Sequence, residues 1–93
     1  MTVEPELQPA LDVLHRAFPV GVSDEDYKPL LLALSGDFSE RQLAALVAEF
    51  TGRDRFVVDN DHAAVRSHDR QDRASIGRVR TLLTRAGYDD LPA

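Results

Sequence analysis

The side chains of this chain best suited to acid-base or metal chemistry are three histidines, His15, His62 and His68, and sixteen carboxylates. Nucleophilic catalysis needs a nucleophile, a base and an orienting group in one pocket, and no motif here signals a Ser, His and Asp grouping. His15 flanks the apolar stripe of a first predicted helix, where a histidine serves as an edge-of-core residue. His62 caps or flanks a short fourth helix, and His68 falls in a linker. In principle His62, His68, Asp59, Asp61 and Asp69 could gather a metal. The six-residue separation of the two histidines, however, fits neither a helical zinc pair nor a zinc finger, and "DNDHAAVRSHDR" lacks the glycine and acceptor pattern of a calcium loop. With no cysteine there is no disulfide, thiolate zinc site or cysteine nucleophile. The glycines are scattered, mostly at helix ends, so no phosphate-binding loop forms. The residues therefore point to no enzyme and no cofactor.

Three consecutive acids, Asp24, Glu25 and Asp26, stand in "PVGVSDEDYKPLLLAL". Neighbours on a helix point in three directions, which does not make a cation site. They suit a helix start instead. Ser23 and Asp26 have the spacing of a capping box, the acids meet the positive end of the helix dipole, and Val22 and Tyr27 occupy the positions of a hydrophobic staple. Pro29 predicts either a restart or a kink in this helix. Leu30, Leu31, Leu32 and Leu34 then predict a deeply inserted segment that ends at Ser35-Gly36.

The remaining elements follow from the same logic. Leu7, Leu11, Leu14 and Phe18 share a face of a first helix near residues 4–18, which Pro19 and Gly21 end. Ser39 with Gln42 forms a second capping box ahead of Leu43, Leu46, Val47 and Phe50, in a helix over 39–51 that Gly52 stops. The other side of that helix is Ala44, Ala45 and Ala48, which would be a flat docking face if exposed. Phe56, Val57 and Val58 suggest a short extended segment, with a brief helix over 59–67 capped by Asp59 or Asn60. Asp72 caps a last helix, 72–86, with Ile76, Val79, Leu82, Leu83 and Ala86 on one side and Gly87 closing it. Residues 88–93 form a frayed tail. The fold expected is all-α, a single compact bundle of about five short helices.

At 93 residues the chain has room for one core, and 43% apolar with 29% charged residues is an ordinary globular composition. The acidic start, "MTVEPELQPALD", is unlike a secretory signal and no apolar run is long enough to span a bilayer; the expectation is a cytoplasmic monomer. The net charge of -5 is unevenly spread. Residues 1 to 52 hold 3 basic residues against 9 acids, whereas residues 66 to 85 hold 6 arginines against 2 acids. That stripe, Arg66, Arg70, Arg73, Arg78, Arg80 and Arg85, is the candidate interaction surface. It could meet phosphates, but no aromatic residues interleave with it to stack bases. "LLLALSGDFSERQLAALVAEF" has the outline of a helix-turn-helix, with alanines where a base-reading helix needs donors.

Taken together, "LHRAFPVGVSDEDYKPLLLAL", "SERQLAALVAEF" and "IGRVRTLLTRAG" resemble the actinobacterial domain of unknown function family 3349, small proteins common in mycobacteria. The pattern "AFP-x-G-V-x-x-x-DY-x-PLL" at Ala17 to Leu31 is its most specific part. The resemblance implies a monomeric five-helix bundle and no established activity, so it carries no catalytic residues over. The reading that results is a protein-interaction module with an unknown protein partner, with weak nucleic-acid binding through the arginine stripe as the alternative.

Overall fold

Why five helices form is visible at their ends. The computed structural model describes residues 4–67 and 71–91. A 3-10 turn over Pro5–Leu7 runs straight into α1, Gln8–Ala17, whose second residue, Pro9, needs no helical N–H donor. In α2, Asp24–Leu34, the Ser23 hydroxyl accepts from the Asp26 amide. The predicted box is only half made, because the Asp26 carboxylate pairs with Arg78 instead of turning back. Pro29 lies inside a helix that runs unbroken through it. The complete box is at α3, Glu40–Thr51: Ser39 Oγ accepts from the Gln42 amide, and Gln42 Oε1 accepts from the Ser39 amide, both at 3.1 Å. Gly52 ends α3 at φ 77°, a left-handed conformation that a side chain would strain.

The fourth helix corrects the sequence reading. Residues 56–58 are helical, and α4 spans Arg55–Ser67. Asp54 caps it, accepting the Phe56 amide on Oδ1 at 2.8 Å while its carbonyl accepts from Val58. With no strand to pair among the described residues, the β-branched pair Val57 and Val58 follows the cap rather than its own extended propensity. Asp72 caps α5, Arg73–Arg85, through the Ala74 amide. Beyond Gly87, where the sequence suggests a frayed tail over 88–93, residues 88–90 form a 3-10 turn, Tyr88–Asp90, and Leu91 packs on the core, while residues 92 and 93 lie outside the described residues. The Tyr88 hydroxyl holds the turn down by donating to Asp37 Oδ2 at 2.7 Å.

The helices touch in the closed cycle α1, α3, α4, α2, α5 and back to α1, with α2 also meeting α3. Inside lie Leu14, Leu30, Leu34, Leu46, Val58, Val79 and Leu83, all fully buried. The fold is the all-α bundle that the periodicity requires. Its radius of gyration, 12.1 Å, matches the ~12 Å of a compact domain this long. Among the described residues, no helix is long and apolar enough to cross a membrane.

Candidate functional site

The arginine stripe is divided by the fold. Arg66, at the end of α4, pairs with Glu40 at the start of α3, and Arg78 pairs with Asp26 in the first turn of α2. Both ties join the arginine-rich rear of the chain to its acidic front. Arg73, Arg80 and Arg85 are exposed, and among the described residues no carboxylate lies within ion-pair distance of them. Arg70 lies outside the described residues. Arg73 and Arg80, seven residues apart, share one flank of α5, so the solvated part of the stripe is narrower than the sequence suggests.

The alanine face is absent. Ala44, Ala45 and Ala48 are 6%, 1% and 7% exposed, covered because α3 is packed between α1 and α4. Their small size serves close helix approach, and the docking surface imagined there does not exist.

A strip without charge lies one helix further on. The inward side of α4 is Val58, His62 and Val65. Its outward side is Phe56, Asn60, Ala63 and Ser67 at helical spacing, flanked on one edge by Val57 and Ala64 and on the other by the exposed Asp59 and Arg66, so the uncharged strip is Phe56, Val57, Asn60, Ala63, Ala64 and Ser67. None of these six is ionisable, in a chain that is 29% charged. Phe56 is 81% exposed and Val57 48%. The sequence carries the period of these residues, but an extended segment over 56–58 interrupts it, and only the helix starting at Arg55 brings them onto one side.

The polar pairs nearest to chemistry are inert in form. His62 is 4% exposed, its Nε2 lies 3.2 Å from Ser35 Oγ, and burial, aided by Arg66, pushes its pKa below the usual value. Among the described residues no carboxylate hydrogen-bonds the ring to complete a triad. Tyr27 donates to Asp61 Oδ2 at 2.8 Å, with the Arg53 guanidinium 3.9 Å over its ring. Burial and then Asp61 raise the phenol pKa, the reverse of what a tyrosine base or nucleophile needs. His15 packs edge-on against Phe50, at 5.1 Å between ring centres, as an edge-of-core histidine should. Among the described residues no group of three His, Asp or Glu is placed to hold a metal: His62 turns to Ser35 and Asp61 to Tyr27. His68 and Asp69 lie outside the described residues.

Compared with protein-family models, with curated proteins and with solved structures, the chain has no match in any of the three.

Proposed function

We propose that this chain is a non-enzymatic protein-interaction module and that its docking element is the outward face of α4. The observation that carries this reading is the charge-free run of Phe56, Val57, Asn60, Ala63, Ala64 and Ser67, with a phenylalanine left 81% exposed at one end. Burying a side chain of that size is worth about 1.5–3 kcal/mol, a gain the isolated bundle does not make and a partner would. The strip is one helix wide and its charged neighbours, Asp59 and Arg66, stand along one edge where they can stay hydrated, which suits an apolar segment of another protein laid along it. The resemblance at Ala17 to Leu31 to a family of helical bundles without established activity is compatible with this reading and adds no chemistry to it.

The test is capture from nuclease-treated lysate with the wild-type chain and with Phe56→Glu. Glutamate near the positive end of α4 should leave stability within about 0.5 kcal/mol, so a lost partner is not a lost fold. The expected result is a partner retained in high salt by the wild type and lost with Phe56→Glu. Capture that survives Phe56→Glu but disappears with salt, or with Arg73 and Arg80 replaced by alanine, would instead favour the arginine stripe.

A further inference from the structure

The two ends of the described chain meet at a cleft of about 530 Å³ that shares no residue with the α4 face. Pro9 and Ala10 of α1 form one wall, and Phe38, in the short turn between α2 and α3, forms the other. Tyr88 and Leu91, beyond α5, close the end. The turn is fixed by a bridge between Ser35 and Phe38, and the last segment by the Tyr88 hydroxyl on Asp37. The cleft is therefore assembled by tertiary contacts and bounded by secured elements.

Among the described residues, the charged side chains lining the cleft are Glu6, Asp37 and Asp89, and a cation on that side, Arg80, lines the adjoining cleft behind Asp37, Tyr88 and Asp89. Tyr88 donates to Oδ2 of Asp37, and burial followed by the Asp37 hydrogen bond raises its phenol pKa, so it stays a neutral donor. A cleft lined by the buried or half-buried Ala10, Phe38 and Leu91 and by three exposed carboxylates is complementary to an apolar side chain flanked by cations.

We propose that this cleft is a second docking site, and that it takes a basic peptide segment in which a leucine-sized apolar side chain stands next to lysine or arginine. The apolar side chain lies against Phe38 and Leu91, while the neighbouring cations face Glu6, Asp37 and Asp89. The site does not depend on the α4 face, and a Phe56→Glu chain retains it.

The experiment is amide NMR of the labelled full chain at low salt during addition of three blocked pentapeptides: Gly-Lys-Leu-Lys-Gly, Gly-Lys-Ala-Lys-Gly and Gly-Glu-Leu-Glu-Gly. Expected are saturable shifts at Ala10, Asp37, Phe38 and Asp89 with the first peptide, several-fold weaker binding of the alanine peptide and none of the acidic one. Raising the salt, or replacing Glu6 by Gln and Asp89 by Asn, should weaken the first peptide several-fold as screening or neutralisation removes the attraction. Neither substitution touches the Tyr88 to Asp37 bond, so the cleft survives both. Equal binding of the acidic peptide, shifts confined to other surfaces, or cleft shifts that follow protein concentration without peptide would each overturn the proposal, the last by making a second copy the occupant.

Discussion

His62 shows how a residue's environment decides its role. An imidazole 4% exposed and bonded to Ser35 is held neutral by its burial, and Arg66 acts in the same direction. Its pKa is lowered in the folded state, so above the ordinary value of 6.5 both states are neutral and the native contact contributes fully. As pH falls below that value the unfolded chain binds the proton first, and stability declines until the lowered native pKa is passed. Denaturant midpoints measured from pH 7.5 downward should fall in this window for the wild type and fall less for His62→Gln. A His62→Gln profile parallel to that of the wild type would show that the ring is not held neutral. The same residue illustrates what sequence cannot display: "DNDHAAV" identifies a histidine among acids, but its partner Ser35 is 27 residues away and comes near only when α2 and α4 pack.

Among the elements, local chemistry was legible wherever a cap and a period agreed. The Ser39 and Gln42 box, the Asp72 cap and the stop at Gly52 all stand as the sequence indicates, because each depends only on neighbours within four residues. The Ser23 box failed halfway, since Asp26 had a better use in Arg78, 52 residues on, that no local rule contains. At α4 the sequence reading names Asp59 or Asn60 as the cap, whereas Asp54, three residues before the β-branched pair Val57 and Val58, caps the helix. Asp54→Ala should therefore cost about 1 kcal/mol and reduce the helical secondary shifts of Arg55 to Val58. If the loss is confined to residues after Asp59, the helix starts where the sequence reading had put it. In the tail, Tyr88 and Leu91 are held by Asp37 and by the core, partners distant in sequence that no local rule contains.

Across the whole molecule, the acidic front and arginine-rich rear are folded onto each other. Arg66 with Glu40, Arg78 with Asp26 and Arg53 with Asp24 join the halves. Exposed pairs of this kind contribute only ~0–1 kcal/mol each, so stability rests on the closed cycle of helices around the leucine core. The pairs nevertheless change how the surface reads. A stripe of six arginines in sequence becomes two that are tied down and three that are solvated, with Arg70 outside the described residues, while a narrow uncharged strip emerges on α4 beside Asp59 and Arg66. Bundle architecture could be read from periodicity and caps; which face of each helix stays outside could not, because that depends on which neighbours close the cycle. The buried alanines of α3 and the exposed Phe56 of α4 are the two sides of that single unknown.

The most direct test of the docking reading is photo-crosslinking in cells, with a reactive side chain placed either at position 60, in the middle of the outward face of α4, or at position 80 on the arginine flank. The account predicts a discrete adduct at position 60 that protease destroys, that nuclease leaves intact and that Phe56→Glu abolishes. Adducts at position 80 that nuclease removes, with none at position 60, would contradict it and make the arginine flank the working surface.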